Sequence, residues 1–154
     1  MADKSVDEPL LGIQNYSFIK KFIGCTNDEE FITLDAWVND SQVGEGDLML
    51  QMDIEGGEYF ALINASDEVL NRFRIITLEV HNLQFLWDAH YFEVVQSALS
   101  KILKTHYCVH LHPNNCCGIF NYNGLDIVRV LECTFIRKDR VKDILAIVLS
   151  FRTL

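Results

Sequence analysis

The sequence predicts an α/β fold in which helices pack on a largely parallel sheet. Two observations lead to this prediction. From residue 48 onward, compact apolar runs of strand length alternate with segments of helical periodicity. After the third predicted strand, the turn signal NYNG precedes a fourth strand, which indicates a hairpin-like return of the chain. With 154 residues, 49% of them hydrophobic, the chain is long enough for one domain with its own core.

The elements up to the first central strand follow from local signals. Thr33 is a candidate N-cap for a short helix that carries Leu34, Trp37 and Val38 on one side. The polar, glycine-containing segment SQVGEGD is typical of a loop. Residues 48–54 form a compact apolar run, which favours a strand covered on both faces.

The remaining elements alternate between the two periodicities. We expect helices over 58–71 and 88–104, and strands over 74–81, 107–112 and 128–136. The first helix offers a buried stripe of Phe60, Ile63, Val69 and Leu70. The second, capped by Asp88, offers Phe92, Val95, Leu99, Ile102 and Leu103. The tail over 140–154 fits either a helix or, through ILAIVLSF, a strand.

The net charge and the hydropathy of the sequence argue against some classes of function. The net charge of −9 opposes binding to polyanions, so nucleic acid is a poor partner. No apolar run reaches the length of a membrane span, and the N-terminus MADKSVDEP is unlike a signal peptide. Taken at face value, these features predict a cytoplasmic protein.

The stretch QMDIEGGEY ends the first central strand with polar residues. Asp53 and Glu55 are two residues apart, so both point to one side of an extended chain at the edge where ligands bind in such sheets. Gly56 and Gly57 permit a tight turn and a close approach of backbone to a bound molecule. An equally direct interpretation is that carboxylates at this position simply stabilise the start of the next helix, by about 1 kcal/mol.

Four segments in order resemble one family. The stretches DLMLQMDIEGGEYFALI, IITLEVH, VHLHPNN and VLECTFIRKD resemble the FkbM-type methyltransferases, with DIEGGE similar to their D-x-E-G-x-E signature. The resemblance covers residues 31–139, leaving an N-terminal segment over 1–30 and a tail over 140–154. It implies the second half of a Rossmann-like methyltransferase sheet, with three parallel strands, crossover helices and a final antiparallel strand.

The resemblance also implies an activity and a cofactor. Members of the family transfer a methyl group from S-adenosylmethionine, usually to an oxygen of a small-molecule or glycan-like acceptor. Such enzymes hold the cofactor on a glycine-rich turn, and none of the glycines here forms a G-x-G-x-x-G-like turn. We therefore expect a C-terminal half (a fragment, a truncated gene model or a degenerate relative) that binds the cofactor weakly or not at all.

Candidate site residues lie at three strand ends. Asp53 and His81 are the catalytic candidates, with His81 as the base. The candidates for substrate contact are Glu55, Glu58, His112, Asn114 and Asn115. A merely hydrogen-bonded His81, and asparagines that only form a turn after Pro113, remain open alternatives.

We predict no metal site from the sequence. In related metal-assisted methyltransferases a carboxylate and an Asp-Asn pair hold magnesium, whereas His81-Asn82 is a softer and less anionic pair. The H-x-H-x-x-x-C-C arrangement of His110, His112, Cys116 and Cys117 contains zinc-type ligands, but its spacing is not that of a common zinc motif.

The alternative function belongs to another class. A half-sheet exposes its first strand as an unpaired edge, which favours dimerisation or a partner chain. The sequence is therefore also compatible with a non-catalytic interaction module, or a pseudoenzyme, that keeps the half-sheet as a scaffold.

Overall fold

A computed structural model describes residues 1–7 and 16–141. The two alternatives for the tail fall almost entirely on 142–154, outside the described residues. Within the described part, the N-terminal segment contributes strand β1 (Phe22–Gly24), which pairs in parallel with β2 (Phe31–Thr33). An isolated parallel bridge joins Ala2 to Ile19.

Six further strands and four helices follow. The strands are β3 (Leu48–Met52), β4 (Phe73–Val80), β5 (His106–Pro113), β6 (Ile119–Tyr122), β7 (Leu125–Val128) and β8 (Leu131–Arg137). The helices are α1 (Leu34–Asp40), α2 (Glu58–Asn64), α3 (Asp67–Arg72) and α4 (Ala89–Thr105). Short 3₁₀ turns cover Leu83–Phe85 and Lys138–Arg140. The prediction of a mixed α/β fold is confirmed.

The central sheet has four strands in the order β3-β4-β8-β5. Strands β3 and β4 are parallel, while β8 lies between β4 and β5 and is antiparallel to both. Strands β4 and β5 therefore run in the same direction without pairing, because the returning strand separates them. The result is a mixed sheet whose last strand is antiparallel.

The return to β8 begins with a separate hairpin. Strands β6 and β7 pair with each other, and the turn between them contains Asn123 (φ 51°) and Gly124 (φ 84°). Two consecutive positive φ values are what a two-residue hairpin turn of this kind requires, and Asn-Gly is its preferred sequence. The turn predicted at NYNG is confirmed, whereas the single strand predicted over 128–136 is in fact the end of β7 followed by β8.

One face of the central sheet is buried and the other is polar. Leu50 and Met52 of β3 belong to the core, which also contains Ile76 of β4 and Ile102 of α4. Met49, which precedes Leu50 on the same strand, is 62% exposed, and Gln51 is exposed as well. The prediction that this strand is covered on both faces is therefore wrong, because its alternate side chains, Met49 and Gln51, face solvent.

The predicted helix over 58–71 is two helices. The backbone leaves the helical conformation at Ala65, and Ser66 starts α3 by accepting a hydrogen bond from Val69 N at 3.1 Å. Val69 is buried as expected, but Phe60 is 55% exposed. The sequence S-D-E is a good N-terminal signal in itself, and here it interrupts the longer apolar pattern.

The predictions for the two capped helices are confirmed at their N-termini. Thr33 Oγ1 accepts from Ala36 N at 3.2 Å, and Asp88 Oδ1 accepts from Tyr91 N at 2.8 Å. Along α4, Val95 and Ile102 are buried, whereas Phe92 and Leu103 of the predicted stripe are 47% and 44% exposed. No helix in the described part of the chain combines the length and apolar character needed to cross a membrane.

Candidate functional site

The site is built where β3 and β4 end. Because these strands are parallel, their carboxyl ends reach the same edge of the sheet, and the residues that follow them are neighbours. His81 Nε2 lies 3.7 Å from Asp53 Oδ1 and 3.5 Å from Glu55 Oε2. The structure thus brings together Asp53 and Glu55 of QMDIEGGEY and the histidine that the sequence proposed as a base.

Contacts of the other ring nitrogen, Nδ1, hold the ring of His81 in place. The residue is 8% exposed, and Nδ1 lies 3.2 Å from Glu58 Oε1 and 3.1 Å from the carbonyl oxygen of Glu79. Both partners are acceptors, so Nδ1 is the nitrogen that donates in these contacts. The other ring nitrogen, Nε2, is on the side of the ring that faces Asp53 and Glu55.

The backbone of His81 is fixed as well. The hydroxyl groups of Tyr59 and Tyr91 both donate to its carbonyl oxygen, at 2.5 Å and 3.1 Å. The two tyrosine rings meet edge to face with centroids 5.9 Å apart. Burial, followed by the neighbouring Tyr91 hydroxyl, raises the pKa of Tyr59, so it stays a hydrogen-bond donor. The position of the histidine is therefore determined from both its main chain and its ring.

Glu58 organises the turn that follows β3. It is fully buried, and its carboxylate accepts hydrogen bonds from Ile54 N at 2.8 Å and from Gly56 N at 2.9 Å. The sequence placed Glu58 among residues that contact substrate. Its position instead favours a role through the turn and through His81, because both carboxylate oxygens already have protein partners.

The structure explains why position 56 is a glycine. Its φ is 103°, and a Cβ built there would lie 2.7 Å from Nδ2 of Asn82. Asn82 itself has a φ of 62°, in the left-handed region that asparagine tolerates. The close approach that the sequence predicted is thus made to the loop after β4, within the protein itself.

A further carboxylate, that of Glu79, lies beside Asp53 and His81. One atom each of Asp53, Glu79 and His81 lies within 4.8 Å of the others. Burial and the neighbouring Asp53 carboxylate raise the pKa of Glu79, while Asn114 Nδ2 donates to its Oε1 at 2.6 Å. The sequence signal for Glu79 was its position on β4, two residues before His81 and on the polar side of the strand.

The candidate residues at the end of β5 differ in whether they contact the site. Asn114 reaches the site through Glu79. His112 is exposed on β5, where it is the register partner of Glu132, and Asn115 is exposed in the loop that follows. The rings of His110 and His112 stack with centroids 6.1 Å apart. The structure does not gather these histidines with Cys116 and Cys117 into a ligand group, and it joins the two cysteines to each other.

Two cavities adjoin the site and share Asp53. One, of about 290 Å³, lies over the polar face of the sheet. The other, of about 490 Å³, lies between the turn after β3 and the strands β1 and β2. The first is lined by Gln51, Met52, Asp53, Thr77, Leu78, Glu79, His110, Glu132, Cys133 and Thr134. Asp53 therefore borders open space over the sheet and open space beside β1 and β2.

Fold and site together define an α/β domain with a polar site at the ends of two parallel strands. The chain matches the family model for the methyltransferase FkbM domain over residues 15–108, well over half of its length. It therefore belongs to the FkbM methyltransferase family. No curated protein and no solved structure matches the chain.

The extent of the family match differs from the extent of the sequence resemblance. The match begins at residue 15, within the N-terminal segment, and ends at residue 108 in β5. It includes Asp53, Glu79 and His81, whereas the stretches HLHPNN and LECTFIRKD lie beyond it. A family match assigns no role to a single residue, so the roles of Asp53 and His81, like those of the residues after β5, stay predictions.

Proposed function

We propose that this domain serves S-adenosylmethionine-dependent methyl transfer to an oxygen of a small acceptor, including a glycan-like one. Its membership of the FkbM family supports the reaction type. The observation that carries the proposal is the orientation of His81, whose Nδ1 is held by Glu58 while Nε2 faces Asp53 and Glu55. A histidine fixed in this way is suited to accept a proton from an acceptor hydroxyl.

Each residue of the site has its own role in the proposed reaction. His81 Nε2 takes the hydroxyl proton as the oxygen attacks, and the buried Glu58 carboxylate stabilises the resulting imidazolium. Asp53, at the junction of the two cavities, orients the acceptor, with Glu55, His112, Asn114 and Asn115 as further contacts. When bound, S-adenosylmethionine would supply the methyl group, and the electron pair of the broken carbon–sulfur bond would stay on the sulfur of S-adenosylhomocysteine. In-line positioning of acceptor and donor is the main requirement of such a transfer.

We further propose that the central sheet is the acceptor side of a Rossmann-like methyltransferase sheet. The parallel β3 and β4 and the antiparallel β8 support this assignment. Since the 154 residues contain no glycine-rich turn of the G-x-G-x-x-G type, the isolated chain should bind S-adenosylmethionine weakly or not at all.

Titration calorimetry of the purified chain with S-adenosylmethionine tests the cofactor part. We expect little or no heat of binding, and low-micromolar affinity would show that the cofactor site lies within these residues. Transfer of a labelled methyl group to a panel of hydroxyl acceptors tests the reaction. Any transfer should be lost in His81→Gln and retained in His90→Gln, a surface histidine of α4. Transfer that persists in a folded His81→Gln protein would exclude His81 as the base.

A second candidate function rests on the edge of the sheet. Within the described residues β3 has one sheet neighbour, β4, and Met49 on β3 is 62% exposed. An unpaired strand with an exposed apolar side chain favours association, so a non-catalytic scaffold that binds a second copy or a partner chain is the alternative. Light scattering after size exclusion tests it: concentration-dependent dimers that Met49→Lys abolishes support it, and a monomer at all concentrations counts against self-association.

A further inference from the structure

We infer that Asp53, Glu79 and His81 form a binding site for a divalent transition-metal cation. This inference goes beyond the proposed methyl transfer and does not depend on it. Two carboxylates and one imidazole converge, with one donor atom from each lying within 4.8 Å of the others. Three such ligands with space for water are a common composition for protein metal sites.

The histidine is the observation that points to a ligand. It is nine-tenths buried, yet Nε2 lies 3.7 Å from Asp53 Oδ1 and 3.5 Å from Glu55 Oε2, longer than an ordinary hydrogen bond. The buried Glu58 carboxylate lies at Nδ1, 3.2 Å away. A carboxylate on one ring nitrogen that directs the lone pair of the other is the outer-shell arrangement found around metal-bound histidines.

The Glu79 carboxylate, like the His81 ring, is oriented by a hydrogen bond to a neighbouring side chain. Glu79 is fixed by Asn114 Nδ2, which donates to Oε1 at 2.6 Å and so orients the remaining oxygen positions. The cavity that contains Asp53 and Glu79 is also lined by Glu132, and none of the lysines and arginines in the described part of the chain lines it. A metal cation at this position would offset the repulsion between these neighbouring carboxylates.

The donor types select the kind of cation. Carboxylate oxygens suit magnesium, calcium and manganese, whereas imidazole nitrogen suits zinc, iron and other transition metals. A mixed set of two oxygens and one nitrogen therefore favours Mn²⁺ or Zn²⁺ over Mg²⁺ and Ca²⁺. The sequence predicted no metal because it compared His81-Asn82 with an acidic pair. The structure instead brings in Glu79 as the second carboxylate.

The cation and the acceptor proton would use the same lone pair. A metal ion on His81 Nε2 blocks proton abstraction by that nitrogen, so in the metal-bound protein His81 does not act as the base. Added Mn²⁺ should then lower any methyl transfer that depends on His81. Metal binding itself needs no cofactor and no acceptor, so its failure and the failure of the proposed function are separately observable.

The test uses the full chain stripped of metal with a chelator and titrated with Mn²⁺. Electron paramagnetic resonance should show one bound Mn²⁺ per chain, with a nitrogen coupling from the imidazole. Asp53→Asn and Glu79→Gln should each weaken Mn²⁺ affinity by about 10-fold or more, a loss of the size seen when metal sites are altered. Glu132→Gln, which removes the same charge from the same cavity, should leave the affinity close to that of the parent.

The nitrogen coupling identifies the histidine ligand. It should disappear in His81→Gln, with circular dichroism showing that the variant is folded. If His81→Gln does not fold, the coupling in the parent protein together with the Asp53→Asn and Glu79→Gln affinities still decides the question. Absence of Mn²⁺ binding, binding without a nitrogen coupling, or equal affinity in Glu79→Gln and Glu132→Gln would each overturn the inference.

Discussion

The buried carboxylate of Glu58 joins the turn after β3 to the histidine after β4. Its Oε1 lies 3.2 Å from His81 Nδ1 and 2.8 Å from Ile54 N, and its Oε2 lies 2.9 Å from Gly56 N. A single side chain thus satisfies two backbone donors and sets the orientation of the ring. The stability of this edge of the sheet and the geometry of the candidate site therefore depend on the same residue.

Replacing Glu58 with glutamine should destabilise the protein by about 2–4 kcal/mol. The side chain keeps its shape, but it loses a charge that accepts from three groups, and an amide NH₂ is turned towards donors in a fully buried position. Urea unfolding followed by circular dichroism measures the change. Glu93→Gln, at an exposed position of α4, is the matched control and should cost much less. Equal costs for the two variants would mean that the Glu58 contacts contribute little.

Replacing Gly56 with alanine should cost about 1–3 kcal/mol. The added Cβ meets Nδ2 of Asn82 at 2.7 Å, and φ is 103°. In the double variant Gly56→Ala, Asn82→Gly the contact is gone and only the backbone strain remains, so part of the stability should return. Gly46→Ala is the control, because no atom lies within 4 Å of its added Cβ. Full additivity of the two changes would show that the contact is not the cause.

Replacing Asp88 with alanine should destabilise α4 by about 1 kcal/mol, the usual contribution of an N-cap side chain. The carboxylate accepts from Tyr91 N at 2.8 Å. Asp88→Asn keeps an acceptor oxygen at this position and should cost only a small part of that amount. Thermal and urea unfolding of both variants compare them. If asparagine is as damaging as alanine, the negative charge at the helix N-terminus, rather than the hydrogen bond, stabilises α4.

Acid should destabilise the protein through His106. Burial lowers the pKa of this fully buried histidine, and Arg137 lowers it further. The contact of its Nε2 with the carbonyl oxygen of Phe73, 2.8 Å away, raises the pKa, as does Asp139, but burial outweighs them. The unfolded chain binds a proton near pH 6.5, before the folded one does. The contribution of His106 to the free energy of unfolding is therefore complete above about pH 6.5. It is lost as the pH falls towards the lowered pKa of the folded state, by at most about 1.4 kcal/mol per pH unit.

The pH experiment compares unfolding free energies at several values between pH 7.5 and pH 5. The parent protein should lose stability over this range, and His106→Gln should show a shallower slope because its side chain does not titrate. His90→Gln, at an exposed position of α4, should keep the slope of the parent. A parent slope that His106→Gln leaves unchanged would assign the acid sensitivity to other groups.

Features set by a few neighbouring residues were predictable from the sequence. The caps at Thr33 and Asp88 each need one hydrogen bond to a backbone N–H three residues along the chain, so local sequence determines them. The meeting of Asp53 and His81 also followed, because parallel strands end at one edge. Asn123-Gly124 marked its turn for an equally local reason, the positive φ values that this pair tolerates.

Features that depend on distant contacts were not predictable in the same way. Ser66 starts a local N-terminal signal, but the apolar pattern continues through it, and the sequence does not show that the backbone leaves the helix at Ala65. Met49 is apolar but exposed, because burial depends on which faces of the sheet carry helices. Glu79 is brought to the site by the pairing of β4 with β3 and by Asn114 from another loop, and no single motif contains these residues.

The contact between positions 56 and 82 favours one order in which the two positions can change. A Cβ at position 56 meets Nδ2 of Asn82 at 2.7 Å, so the asparagine side chain must move aside or be replaced by something smaller. A glycine at 82 fits the positive φ there and opens the space, while leaving 56 unaltered. Divergence at this pair is therefore less costly when position 82 changes first, because a change at 56 alone meets both the amide and the strain of its own positive φ.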